Sequence, residues 1–187
     1  YWKELTTENQ EVYRQAKNKI EQQGFTLKAV VLNGKKGIKD VFRNIPMQMC
    51  QFHQVAIINR YLTRKPKLEA SKELMTIALS LTITNEKEFT ILLENWNDKW
   101  NNFLKEKTVN TETKKWVYTH KRIRSAFRSL QTNLPYLFTY QKYPELKIPN
   151  TTNSLDGTFS YFKTLLRIHR GMKKEKRYKV ICEILKN

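Results

Sequence analysis

Leu27-Lys28-Ala29-Val30-Val31-Leu32-Asn33-Gly34-Lys35-Lys36-Gly37 and, ten residues further on, Gln48-Met49-Cys50-Gln51-Phe52-His53 decide the fold between them. The first segment is a short, β-branched apolar run closed by Asn33-Gly34, which reads as a buried strand ending in a turn. A short helix over Ile38–Phe42 and then Pro46 separate it from a second strand, Met47–Cys50, which runs straight into a helix from Phe52 towards Tyr61. Strands alternating with helices imply an α/β layer with at least partly parallel strands. Upstream, Tyr1–Gly24 opens with a short candidate strand. It then reads helical through Glu8, Glu11, Tyr13, Ala16 and Ile20 to a stop at Gly24.

From Lys67 the pattern changes. Lys67–Leu81 reads as one helix and Glu86–Lys107 as another, with Phe89, Leu92, Leu93, Trp96, Trp100, Phe103 and Leu104 on one face at helical spacing. Lys114–Leu130 reads as a third, its stripe being Trp116, Ile123, Phe127 and Leu130. This helical block ends near Pro144 and Pro149; Ser154–His169 and Lys173–Leu185 follow as the last helices.

Composition narrows the function classes. The 187 residues carry 35 Lys+Arg against 17 Asp+Glu, a formal charge of +18. Such an excess repels itself on compaction and points to a polyanionic partner. Nucleic acid leads, an anionic membrane surface comes second, and a codon bias towards Lys and Asn is the bland alternative. With 40% hydrophobic and 12% aromatic residues there is enough apolar surface for a core, which excludes disorder. No apolar run is long enough to span a membrane, and the polar Tyr1–Gln10 reads as no signal peptide. Two cysteines, Cys50 and Cys182, give no disulfide framework and suit a reducing compartment.

Three segments could carry chemistry. In Pro149-Asn150-Thr151-Thr152-Asn153-Ser154-Leu155-Asp156-Gly157, the N-cap types Thr152, Asn153 and Ser154 put Asp156 in the first turn of a helix. The macrodipole favours a carboxylate there whatever its role. Asp156, Ser160, Lys163, Arg167 and Arg170 then fall at i, i+4, i+7, i+11 and i+14, so one acid heads a row of bases. That suits a metal-binding carboxylate beside a phosphate backbone; the alternative is a capped, solvated helix. Asn33-Gly34 sits where open α/β sheets place functional groups, and it is also ordinary turn chemistry. Cys50-Gln51-Phe52-His53 offers two zinc ligands without the other two, a thiol without an orienting partner, or a histidine bracing the strand end.

Together these segments resemble the catalytic core of Mutator-like bacterial insertion-sequence transposases, DDE enzymes with an RNase H-like fold. That family runs a strand into Asp-Gly-x-x-Gly and follows it with C-x-x-H. A helical insertion comes next, and then a helix beginning Thr-Asn-x-x-Glu. The matching segments here are Asn33-Gly34-Lys35-Lys36-Gly37, Cys50-Gln51-Phe52-His53 and Thr152-Asn153-Ser154-Leu155-Asp156, with Leu166-Arg167-Ile168-His169-Arg170-Gly171 resembling the family's Leu-Arg-x-His-Arg-Gly. The resemblance implies an α/β chain containing a partial RNase H-like core, a mixed sheet with flanking helices. Residues 1–66 would be its first part, 67–148 a large all-helical insertion, and 149–187 its C-terminal helices. Asn33 stands where the family has its second catalytic Asp, and Asp156 is the third acid. No Asp precedes Asp40, so the first acid is missing upstream of Tyr1-Trp2-Lys3 and the chain reads as the C-terminal portion of a transposase.

The family chemistry is DNA cleavage and strand transfer by two-metal phosphoryl transfer, with Mg²⁺ or Mn²⁺. The resemblance makes Asp156 and Asn33 the catalytic and metal positions here, with Cys50, His53, Asn153 and His169 in support. One acid out of three implies impaired catalysis, and a non-catalytic nucleic-acid-binding module derived from a transposase is the alternative. The expected DNA-binding residues are Arg60, Arg64 and Lys65 where the His53 helix ends, Lys121, Arg124 and Arg128 on the insertion's third helix, and Lys163, Arg167 and Arg170. Lys67 and Lys114 extend the first two groups. Trp96, Trp100 and Trp116 offer faces to unpaired bases, though their helical spacing reads first as core. The implied partner is double-stranded DNA (element ends and target), bound by a homodimer or higher assembly, in the bacterial cytoplasm at the nucleoid and away from membranes.

Overall fold

The computed structural model describes residues 7–35, 37–112, 114–168 and 171–184. In chain order come α1 (Gln10–Gln22), β1 (Val30–Leu32), a 3-10 turn (Ile38–Phe42), β2 (Met47–Met49), α2 (Gln51–Leu62), α3 (Glu69–Leu79) and a second 3-10 turn (Ser80–Thr82). Then follow α4 (Glu86–Lys105), β3 (Lys107–Val109), β4 (Trp116–Tyr118), α5 (Lys121–Leu137), α6 (Thr139–Lys142), a third 3-10 turn (Pro144–Leu146), α7 (Asn153–Ile168) and α8 (Lys174–Ile184). The chain is a helix-rich α/β protein, with two small sheets among the described residues. The candidate strand at Tyr1-Trp2-Lys3 lies outside the described residues, as do His169, Arg170 and Leu185. Among the described residues no helix is long and apolar enough to cross a membrane.

Local chemistry sets these boundaries. Asn9 caps α1 by accepting the Val12 N–H, and Gly24, at φ +84°, leaves it through a conformation that costs other residues energy. Asn85 and Glu88 form a reciprocal capping box at the start of α4, satisfying two N–H groups that the helix leaves over. β1 and β2 pair in parallel, Val30 opposite Met47 and Leu32 opposite Met49.

One large core joins β2 and α2 to the helices that follow. It contains Met49, Ile58, Leu62, Leu74, Leu81, Phe89, Leu93, Trp96, Ile123, Leu130, Leu137 and Phe138, thus residues from both sides of position 66. A smaller cluster of Leu32, Ile38 and Phe42 lies with Tyr13, Leu27 and Val30 beside the 3-10 turn. The indoles of Trp96 and Trp100 are bound inside the helical layer: Trp96 Nε1 donates to the Ala70 carbonyl (3.0 Å) and Trp100 Nε1 to Glu73 Oε2 (2.8 Å).

The junction between sheet and helices is polar and buried. Gln48, Gln51 and Gln54 are all fully buried. Gln48 Nε2 and Gln51 Nε2 both donate to the Leu137 carbonyl, at 2.9 and 3.0 Å, and Gln48 Oε1 accepts the Tyr140 N–H (3.0 Å). The Thr139 hydroxyl donates to the Met47 carbonyl (2.6 Å). The end of α5 is therefore capped by the edge of the strand that it packs on. A second polar chain runs from Lys39 Nζ to Asn133 Oδ1 (2.8 Å), from Asn133 Nδ2 to Gln54 Oε1 (2.7 Å), and from Gln54 Nε2 to the Ser129 hydroxyl (3.3 Å). Burial pushes the Lys39 ammonium below the ordinary lysine value, and the Tyr136 ring lies 3.9 Å beneath it.

Four expectations need correction. The insertion is not all-helical: Lys107–Val109 and Trp116–Tyr118 form an antiparallel hairpin, Val109 opposite Trp116. Thr108-Val109 and Trp116-Val117-Tyr118 are β-branched and aromatic, and Lys114 adopts φ +52°, so the chain turns where a helix was expected. Lys114 and Trp116 thus leave the helix, which begins at Lys121 and continues through Pro135 to Leu137; Pro135 sits on the exposed side of α5. Instead of one mixed sheet, the described residues form a parallel pair and a separate antiparallel pair. Lys67–Leu81 is divided into α3 and a 3-10 turn.

Gln48→Met keeps the apolar volume but leaves the Tyr140 N–H without its acceptor. It should lower unfolding free energy by about 1–3 kcal/mol in urea titration, whereas exposed Gln22→Ala should change it by less than about 0.5 kcal/mol.

Candidate functional site

The C-terminal ends of β1 and β2 lie side by side, the Cys50 N–H donating to the Leu32 carbonyl at 2.8 Å. Asn33 and Cys50, the next residues along each strand, are therefore neighbours at the edge where parallel sheets present functional groups. Asn33 is exposed and its Oδ1 accepts the Lys35 N–H (3.1 Å), closing an Asx turn. Gly34 follows at φ +83°, and a Cβ on it would stand 2.6 Å from Met49 Cε. Backbone conformation and close approach both demand glycine at that position.

Lys35 is turned away from the strand edge. Its Nζ donates to Glu8 Oε2 at 2.9 Å, and the Tyr13 hydroxyl donates to the other Glu8 oxygen. The bonds from Tyr13 and Lys35 hold the Glu8 carboxyl below its usual range, while burial and the Glu8 contact push Tyr13 up to about 12. The Glu8 share of stability is full at neutral pH and fades as pH falls through its lowered folded-state value.

The C-terminal segment is fastened to this edge through α2. The Gln51 N–H donates to the Asn150 carbonyl (2.9 Å) and Asn150 Nδ2 to Gln51 Oε1 (3.1 Å). Two residues on, the Thr152 N–H donates to the Sγ of fully buried Cys50 (3.3 Å). The Thr152 hydroxyl lies 2.8 Å from Asp156 Oδ2, 3.4 Å from His53 Nδ1 and 3.4 Å from Cys50 Sγ. It has one proton, which goes to the carboxylate as the nearest and strongest acceptor. A neutral His53 then needs its proton on Nδ1 to bond the Thr152 oxygen. The Thr152 carbonyl accepts the Asp156 N–H (2.9 Å), so Asp156 lies in the first turn of α7, as its spacing predicts.

Cys50-x-x-His53 is thereby a bracket: it holds Thr152, and Thr152 holds Asp156. The buried thiol is closed to substrate, and among the described residues neither Cys50 nor His53 meets further zinc ligands. Among the described residues no group of three or more His, Cys, Asp or Glu is placed to hold a metal ion. Asn33 and Asp156 offer hard oxygen donors but one carboxylate charge between them. One carboxylate and one amide do not fit a two-ion centre, whose charge needs more acids.

The expected DNA-binding residues fall into separate groups. Arg60, Arg64 and Lys65 are exposed at and beyond the end of α2. Arg122, which sequence reasoning passed over, joins them by donating from Nη2 to the Arg60 carbonyl (2.7 Å). Lys121, Arg124 and Arg128 follow one another along α5; Arg124 Nη1 donates to the Leu104 carbonyl (2.7 Å) and its guanidinium stacks 3.6 Å from the Tyr118 ring centre. Asn153, Lys163 and Arg167 are exposed on α7, the last two on the row headed by Asp156. His169 and Arg170 lie outside the described residues. The β-hairpin with Trp116 was also missed, although Trp116-Val117-Tyr118 carried the signal.

The chain matches no protein-family model, no curated protein and no solved structure.

Gly34→Ala should destabilise the fold by about 1–3 kcal/mol, because positive φ and the Met49 contact act together. Gly37→Ala, at φ +86° with nothing within 4 Å of the added Cβ, should cost only the backbone part, about 1 kcal/mol. Thermal or urea unfolding of the pair isolates the clash.

Proposed function

We propose that this chain is the catalytic-domain portion of a DNA transposase of the Mutator-like, RNase H-like class, binding duplex DNA and impaired in two-metal phosphoryl transfer. The observation that supports it is the meeting of three distant segments at one strand edge: Asn33 after β1, the Cys50/His53 bracket after β2, and Asp156 at the head of α7. Their order agrees with the family pattern, and the edge is where that chemistry would need them. Asp156 is the residue to hold a Mg²⁺ or Mn²⁺ ion, which would supply charge neutralisation at a phosphate. Asn33 removes one negative charge from the site, so the chain keeps the scaffold and loses the drive to assemble two ions.

DNA binding on this reading comes from Arg60, Arg64, Lys65, Lys121, Arg124, Arg128, Lys163 and Arg167, which lie at and beyond the end of α2, along α5 and along α7. With roughly six to ten phosphate contacts, log affinity for duplex DNA should fall against log salt with a slope of about −5 to −9, measured by fluorescence anisotropy. A flat salt dependence would remove nucleic acid from the account.

Asn33→Asp should raise Mn²⁺ affinity at least about tenfold by restoring a carboxylate, and Asp156→Ala should abolish the gain. Water-proton relaxation reports both without needing turnover. Should Asn33→Asp bind no Mn²⁺ while duplex binding persists, the second reading stands: a non-catalytic nucleic-acid-binding module derived from a transposase. Magnesium-dependent nicking by the unaltered chain, lost in Asp156→Ala, would contradict the impaired reading.

A further inference from the structure

The hairpin between α4 and α5 is unlike the rest of the surface. Its register sets Lys107 opposite Tyr118 and Val109 opposite Trp116, so alternation brings these four side chains to one face of the ribbon. Trp116 is 55% exposed and Val109 63%, whereas Trp96 and Trp100 are packed into the helical layer. Lys107 Nζ stands 4.0 Å from the Trp116 ring centre, and Tyr118 meets Trp116 edge-on at 5.5 Å. Covering one face of an indole with a cation leaves the other face for a second π system.

The ribbon is held firmly at its root. The Thr119 N–H donates to the Glu106 carbonyl (3.0 Å), Glu106 Oε2 pairs with His120 Nε2 (2.9 Å), and the His120 ring stacks on Phe103 at 3.6 Å. Beside it, between α4 and α5, lies a cleft of about 370 Å³. Its wall includes Lys105, Arg124 and Arg128 with the amides Asn97, Asn101 and Gln131, and Tyr118 closes it towards the ribbon. Among the described residues no carboxylate lines the cleft. From Lys105 to Arg128 the sequence carries eight Lys+Arg against two Glu, one of which, Glu106, is engaged with His120.

We propose that the ribbon and this cleft form a binding site for an unpaired stretch of DNA, a base stacking on Trp116 while the following phosphates enter the cleft. The chemistry is complementary at both ends. An exposed indole offers a face that every base can use, and guanidinium, ammonium and amide donors with no competing acid suit a phosphate backbone. A duplex keeps its bases stacked inside and can use the cations but not the indole. The ribbon therefore distinguishes single strands from duplex, and does so far from the Asn33–Asp156 edge in sequence. This inference rests on the nucleic-acid part of the proposed function and needs none of its metal chemistry.

The test compares an oligothymidylate of about 16 nucleotides, an oligouridylate of that length, and a duplex of equal length, by fluorescence anisotropy on the full chain. Trp116→Ala should weaken oligothymidylate binding about 5- to 100-fold and change duplex binding less than about twofold. Trp116→Phe, which keeps an aromatic face, should retain most of the affinity, and Arg128→Glu should weaken both ligands. Unchanged melting temperature is expected for Trp116→Ala, because the side chain is largely solvent-exposed. Equal oligothymidylate affinity in Trp116→Ala and unaltered chain would overturn the ribbon's role. If the unaltered chain binds duplex with a steep salt slope but ignores oligothymidylate, the ribbon inference fails and the nucleic-acid reading stands. Binding of neither ligand at low salt removes both. Oligouridylate bound about tenfold tighter than oligothymidylate would overturn the assignment to DNA.

Discussion

The carbonyl of Leu137 sits at the end of α5 with no further turn of that helix to donate to it. Two buried amides, Gln48 from β2 and Gln51 from the first turn of α2, take that role together. An unpaired buried acceptor costs about as much as a lost hydrogen bond or more, so this arrangement fixes where α5 stops against the sheet. Gln48 also receives the Tyr140 N–H, and Gln51 holds Asn150, the residue that leads into the Thr152–Asp156 segment. The helical layer, the parallel strands and the approach to α7 are thus tied through one polar knot in an apolar surrounding. Low local dielectric strengthens such bonds when all are made and penalises each that is not.

From that geometry a short relay runs to the Asp156 carboxylate. The strand pairing sets Asn33 beside Cys50; Cys50 and His53 hold Thr152; Thr152 presents the Asp156 carboxylate. Cys50, fully buried, and His53, three residues on, both contact Thr152. The same relay leaves the carboxylate and the Asn33 amide exposed, so the edge remains open to a ligand. Of the two groups only Asp156 can carry a charge, the Asn33 amide being neutral.

The basic residues divide along the same lines. Arg122 turns towards α2 and donates to the Arg60 carbonyl, whereas Lys121, Arg124 and Arg128 run along the side of α5 next to the hairpin. Arg124 is committed twice, to the C-terminal carbonyl of α4 and to the Tyr118 face, and these contacts set the ribbon's angle over the cleft. A surface with net charge +18 would attract polyanions without any such arrangement. The hairpin adds an exposed indole beside a cleft lined by Lys105, Arg124 and Arg128.

Much of this was legible in the sequence because it rests on local rules. Apolar periodicity located α4 and its Trp96 face, Asn33-Gly34 located the end of β1, and cap residues put Asp156 in the first turn of α7. Those signals are decided by neighbours within a few positions, and tertiary packing did not override them. The hairpin was hidden because Trp116 and Ile123 happen to continue a helical spacing; only the pairing of Trp116 with Val109 across a turn settles that the segment is extended. Likewise, Cys50 and His53 had a known spacing but no visible purpose. Their partner, Thr152, is about a hundred residues away, and spacing rules say nothing about a contact at that distance. The sequence by itself determined most of the helices, the β1 and β2 strands and the residue types at their ends, but not the hairpin. The tertiary structure decided which ends meet, because buried amides must find acceptors and the packing of α5 on β2 supplies them.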